Sequence, residues 1–417
     1  MNEPLLDGRE KELLTQCIES GWISSEGPFV TEFERSFSHY IGTEYGVAVC
    51  NGTAALETAL YALGIRKDDE VIMPSFTIIS CAIAALRLGA KPVLVDIDPE
   101  TWNMDVSGVE SKITQKTRAI MPVHIYGHPV DMDPLFDMSS RYNLKIVEDA
   151  AEAHGAEYLS QSKDRWIKCG NMSDVACFSF YANKIITTGE GGMVLSNDPT
   201  VAERAASYRD LCFKPTKRFY HTELCYNFRM SNLQAAVGVA QLERIEEFVA
   251  IKRRLGQYYR EKLQGIPHVR FQVEKPYAKS VHWMYAIELD EECEISAETM
   301  IGLLRERRIG ARPFFVGLHA QPVFARMGLF KGESYPNTDR AHERGLYLPS
   351  GLALTTEQIN TVCSSLQDII EGLLWTRIRS ECLLVFYSLN LKHLRPLNQT
   401  TVKLTEPRSV WGDCSAF

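Results

Sequence analysis

Ser179-Phe180-Tyr181-Ala182-Asn183-Lys184 and, two residues on, Thr187-Thr188-Gly189-Glu190-Gly191-Gly192 form the stretch on which the reading of this chain turns. Most lysines are solvated surface charges. This one follows the apolar run Val175-Ala176-Cys177-Phe178 and precedes three glycines within eight residues. Those flanks describe a buried strand entering a tight loop, with the lysine held at the junction. A second apolar run, Lys145-Ile146-Val147-Glu148-Asp149, ends in a carboxylate. An amine that can form a Schiff base and an acid that can keep a ring nitrogen protonated are a recognisable pair.

Upstream lies a cradle for a phosphate. Tyr45-Gly46-Val47-Ala48-Val49-Cys50 reads as a strand, and Asn51-Gly52-Thr53 turns directly into the helical run Ala54-Ala55-Leu56-Glu57-Thr58-Ala59-Leu60. Free N–H groups at a helix N-terminus, aided by the helix dipole, bind a phosphate dianion. Gly52 permits close approach and the Thr53 hydroxyl adds a donor. Alone, an Asn-Gly-Thr is an ordinary N-cap. The Ser179 hydroxyl, five residues before Lys184, completes the cradle from the other side. Lys184, Asp149 and the Gly52–Thr53–Ser179 cradle together point to pyridoxal 5'-phosphate (PLP) as cofactor. No metal is expected.

The strand candidates Val47–Cys50, Glu70–Pro74, Pro92–Ile97, Ala119–His124, Lys145–Glu148, Val175–Phe180 and Gly192–Ser196 are nearly continuous apolar runs separated by helical stretches. That pattern predicts an α/β fold with a mostly parallel seven-stranded sheet covered on both faces. The motif residues fall just past strand ends, where open α/β sheets bind ligands. No GxGxxG follows a strand, so a dinucleotide site has little support. Apolar spacing predicts one long helix from Met230 to about Gly265, then a smaller α/β region with a strand at Met284–Leu289 and helices at Ala297–Arg307 and Thr356–Leu373. The expected division is a large PLP-binding domain over 1–245, a small domain over 246–371 and an accessory tail over 372–417.

The 417 residues allow a sizeable core, and 45% hydrophobic with 24% charged residues is the composition of a globular protein. A net charge of −8 argues against nucleic acid as a partner. The acidic start Met1-Asn2-Glu3-Pro4-Leu5-Leu6-Asp7 has no apolar segment of a signal peptide, and no run approaches a membrane span, so a cytoplasmic protein is expected. The eleven cysteines show no CxxC pair. Several (Cys50, Cys81, Cys177) read as small hydrophobes in a reducing compartment.

Taken together, Gly21-Trp22-Ile23-Ser24-Ser25-Glu26-Gly27, Asn51 to Leu56, Glu148-Asp149-Ala150-Ala151-Glu152-Ala153-His154-Gly155, Ser179 to Gly192, and Asn227-Phe228-Arg229-Met230 before Gln234-Ala235-Ala236 resemble the DegT/DnrJ/EryC1/StrS family of nucleotide-sugar aminotransferases, within the fold type I PLP enzymes. The resemblance runs from about residue 4 to about 371. It implies Lys184 and Asp149 as catalytic residues, with Gly52, Thr53, Ile78, Glu152, Ser179 and Asn227 also on the cofactor. Glu152 stands where the family often has Gln. The aromatic that covers the ring falls on Ile78, with Phe76 as the alternative. Asn227 is expected to reach the site of a second copy, making a homodimer with shared sites, and Cys225 stands where the family has glycine. His124, Tyr126 and His154 read as packing residues.

The resemblance further implies L-glutamate as amino donor and a nucleotide-linked 4-keto-6-deoxyhexose as acceptor. Arg229, Arg312, Phe315 and His319 are the candidate acceptor contacts. Arg312-Pro313-Phe314-Phe315, His319-Ala320-Gln321-Pro322 and Tyr347-Leu348-Pro349-Ser350-Gly351 look most like the branch that aminates GDP-4-keto-6-deoxymannose. UDP- or dTDP-linked acceptors, at C4 or C3, are the alternative. A sugar dehydratase of this family carries histidine in place of Lys184, and a catalytically silent scaffold would have lost Lys184 or Asp149.

Overall fold

In the computed structural model, which describes residues 3–214 and 216–372, the seven apolar runs pair into one sheet. Its order is Tyr45–Val49, Gly192–Ser196, Val175–Ser179, Lys145–Asp149, Thr117–Ile120, Glu70–Pro74 and Lys91–Val95. Neighbours from Val175–Ser179 to Lys91–Val95 pair in parallel. Gly192–Ser196 runs antiparallel to both of its neighbours. The expected α/β fold with a mostly parallel large sheet is therefore found.

Strands buried on both faces need apolar side chains throughout, and Val71, Ile72, Met73, Val147, Val175 and Phe178 are all fully buried. The strand ends matter most for the site. Phe180, one residue past its strand, packs edge-on against Phe37 with ring centroids 5.0 Å apart. Its N–H donates to Gly191 O, while its carbonyl accepts from Thr188 N–H and the Thr187 hydroxyl. The Tyr181–Lys184 turn, closed by Lys184 N–H to Tyr181 O at 2.9 Å, is thus pinned at its root by a core aromatic.

The expected long helix is two helices, Asn232–Leu242 and Ile245–Leu263. The first opens on a capping box between Ser231 and Gln234. The break falls at Glu243-Arg244, where Arg9 bonds Glu243, and Arg244 reaches Asp7 and Glu247. Contacts to the N-terminal segment, unseen in apolar spacing, fix the kink. Beyond it an antiparallel sheet runs Val269–Phe271, Tyr285–Leu289, Gly345–Leu348, Arg312–Pro313. A last helix starts at residue 356. The chain to Ile370 packs as one compact unit. From residue 373 on, the expected accessory tail lies outside the described residues. Among the described residues no helix is long and apolar enough to cross a membrane.

Candidate active site

Four strand ends converge on one cavity of about 490 Å³. Asn51, Gly52 and Thr53 follow Tyr45–Val49, Thr77 and Ile78 follow Glu70–Pro74, Asp149 closes Lys145–Asp149, and Ser179 closes Val175–Ser179. The cavity size suits a small cofactor with part of a substrate.

The first turn of helix Gly52–Ala62 is built for an anion. Asn51 Oδ1 accepts from Ala54 N–H at 2.8 Å and Asn51 O from Ala55 N–H at 3.1 Å. Those caps leave the N–H groups of Gly52 and Thr53 available among the described residues. Gly52 is required by space: a Cβ there would lie 2.8 Å from Ser179 Cβ and 3.2 Å from Ser179 Oγ. The Thr53 hydroxyl is 2.8 Å from that of Ser80. Backbone donors, two hydroxyls and a bare glycine fit a phosphate.

Lys184 Nζ lies 3.7 Å from Glu152 Oε1 and 3.8 Å from the centroid of the Trp283 ring. Burial holds its amine below the usual lysine range, and this outweighs the opposing pull of Glu152 and Asp149. Burial likewise pushes Glu152 up to about 7, helped by Asp149 and opposed by Lys184 and the Tyr126 N–H. That N–H donates to Glu152 Oε2 at 2.7 Å. Asp149 is buried, and its two oxygens accept from the Cys81 thiol and from Ala151 N–H, each at 3.1 Å. A largely buried lysine of lowered basicity and a fixed carboxylate in one cavity fit a Schiff-base cofactor with a basic ring nitrogen.

The other expected residues divide. Ile78 lines the cavity, whereas Phe76 is buried against Tyr126, Phe314 and Phe315, which settles which of the two faces the cavity. Phe315 also lines it. Arg312 lines an adjoining pocket of about 280 Å³ that shares Tyr181, Asn183 and Tyr347 with the first. Asn227 is exposed in the single chain and bridges to Asp210. Arg229 pairs with Asp210, and His319 Nε2 lies 2.9 Å from Asp339 Oδ1; neither lines a cavity named here. His124 is buried against Glu148, which also accepts from Gly170 N–H, Met172 N–H and the Ser173 hydroxyl. Trp283 was not anticipated, Tyr347 was read only as part of the run to Gly351, and Cys81 only as a small hydrophobe; the fold brings them to the cavity and to Asp149.

Cys50, Cys81 and Cys177 are free thiols, as expected, and one pair outside that set is bonded. Cys212 and Cys225 form a disulfide, with Cα atoms 5.6 Å apart. Leu211 N–H donates to Tyr226 O and Tyr226 N–H to Tyr208 O, so the two segments run side by side. The cysteine in the family's glycine position is thereby paired. Its partner, thirteen residues away, gave no pattern to read.

Fold and site define a fold type I PLP-dependent enzyme. The chain belongs to the DegT/DnrJ/EryC1/StrS aminotransferase family, which matches residues 4–367. It is similar to the GDP-perosamine synthase of Caulobacter vibrioides, 40% identical over 371 residues, covering 88% of this chain and 97% of that one. The GDP-perosamine synthase of Escherichia coli O157:H7 is 38% identical over 366 residues, with the same shares. Among solved structures, S. venezuelae DesV in complex with a ketimine intermediate is 32% identical, with a TM-score of 0.80, covering 87% of this chain and 94% of that one.

Proposed function

We propose that this enzyme transfers the amino group of L-glutamate to C4 of GDP-4-keto-6-deoxymannose, giving GDP-perosamine. The observation that carries the reading is Lys184, Glu152 and Asp149 in one cavity of a chain that matches two GDP-perosamine synthases along 88% of its length. PLP, when bound, supplies an electron sink and a carrier for the amino group. Gly52, Thr53 and Ser179 hold its phosphate, Asp149 pairs with its ring N–H, Glu152 meets its 3-hydroxyl and Ile78 covers its ring. Lys184 Nζ takes the proton from the α-carbon of the donor and, in the second half of the cycle, delivers one to C4 of the sugar. Burial lowers its basicity, which favours the neutral amine that the first task requires.

Phe315 in the main cavity and Arg312 in the adjoining pocket are placed for the sugar and the diphosphate, a guanidinium being suited to bidentate phosphate contact. For Arg229 and His319 an acceptor role rests on the resemblance alone. We take residues 1–245 as the cofactor-binding part and 246–371 as the smaller part, supported by the confinement of the large sheet to 45–196 and of the four-stranded sheet to 269–348. The working form is a homodimer in the cytoplasm, in which Asn227 serves the second copy's site. The exposure of Asn227 supports the first statement, and the second is inferred from seven free cysteines that outnumber the single Cys212–Cys225 disulfide among the described residues.

The test is kcat/KM with L-glutamate and PLP for GDP-4-keto-6-deoxymannose against UDP- and dTDP-linked 4-keto-6-deoxyglucose, since selectivity is a ratio of those values. The GDP-sugar is expected to lead by at least about a hundredfold. Preference for either glucose-derived acceptor would overturn the choice of acceptor and leave the aminotransferase standing.

A further inference from the structure

Lysine has a flexible four-carbon stem, and a freed amine must be held in one place to act repeatedly on one carbon. Trp283 comes from a loop a hundred residues away in sequence, yet it is tied to Lys184 at several points. Its ring centroid is 3.8 Å from Lys184 Nζ. Its Nε1–H donates to the carbonyl of Asn183, the residue before Lys184, at 2.8 Å. Its backbone N–H donates to Tyr126 O at 2.9 Å, Tyr126 N–H donates to Glu152 Oε2 at 2.7 Å, and Glu152 Oε1 lies 3.7 Å from Nζ. The path closes on itself. From behind, the buried Lys252 Nζ donates to Trp283 O at 2.6 Å and also to Ser350 O. A buried indole N–H needs an acceptor, and here the acceptor is the backbone beside the reacting lysine, which fixes the ring against it.

We propose that Trp283 is a positioning residue whose indole face holds the free amine of Lys184 beside Glu152. The inference rests on the reading of Lys184 as the reacting amine. In a water-poor cavity an aromatic face attracts an ammonium ion and offers a neutral amine only a weak N–H···π contact, so it restricts the amine without trapping it. The titratable groups that act on Nζ are Glu152, Asp149 and His154, and the phenols of Tyr126 and Tyr347 act on Glu152. None of these is changed by substitution at 283.

The experiment compares W283F, which keeps an aromatic face, with W283L, which keeps apolar bulk and loses the face. In protein freed of PLP, pulse reductive methylation across a pH series, read by mass spectrometry of the Lys184 peptide, gives the pH at which the amine becomes reactive. That midpoint is expected to fall by about half a unit to one and a half units in W283L and to stay within about 0.3 unit of the native value in W283F. In PLP-loaded protein, single-turnover reaction with glutamate should slow about tenfold or more in W283L, with glutamate KM changed less than about threefold and W283F restoring most of the rate. If leucine prevents folding, W283M carries the same comparison. Equal midpoints in all three proteins, or a loss confined to KM, would overturn the proposal. Borohydride fixation of PLP on a lysine other than Lys184 would overturn the reading of Lys184 itself, and the proposal with it.

Discussion

Glu152 is a carboxyl group buried to 6% exposure, with a lysine amine 3.7 Å away, and burial still wins. Its folded-state pKa of about 7 exceeds the ordinary value of 4.5, so the folded protein binds the extra proton. The stability this contributes is complete below about pH 4.5 and is lost as pH rises through about 7. The loss has an upper limit of about 3.5 kcal/mol, set by the shift at about 1.4 kcal/mol per unit. Glu152→Gln keeps an acceptor for Tyr126 N–H and cannot ionise. Thermal unfolding of PLP-free protein between pH 5 and 8 should show the native protein losing more stability than the Gln variant. Parallel curves would mean that Glu152 is ionised throughout.

Among elements, the helix Gly52–Ala62 makes the sharpest demand. An added methyl at Gly52 would meet Ser179 at 2.8 Å, so either the strand end or the helix start must shift. Gly52→Ala should weaken PLP binding by about tenfold or more, some 1.4 kcal/mol, with little change in secondary structure. Titration of PLP-free protein followed by fluorescence measures this, and unchanged affinity would move the phosphate elsewhere. Elements also divide what sequence can disclose from what it cannot. The seven strands were legible because each is apolar along its length, and Lys184, Asp149 and the Gly52–Thr53 cradle because each sits at a strand end inside a local motif. The break at Glu243-Arg244, the Cys212–Cys225 pair and the placement of Trp283 depend on partners 13 to 237 residues away. Local spacing holds no trace of such contacts.

At the scale of the whole molecule, a site completed by Asn227 of a second copy predicts complementation. Lys184→Ala and Asn227→Ala proteins, each nearly inactive, should recover up to about a quarter of native activity when mixed and allowed to exchange subunits, because one heterodimer site in two is intact. A fully active monomer by sedimentation would rule out shared sites. The central claim, that this chain works as a PLP enzyme through Lys184, has a more direct test. Native protein loaded with PLP is reduced with borohydride, digested and mapped by mass spectrometry, with Lys184→Ala carried in parallel. The expected result is one phosphopyridoxyl group per chain, on Lys184, and none fixed in the variant while its circular dichroism is unchanged. Fixation on another lysine, or equal fixation in Lys184→Ala, would contradict the account.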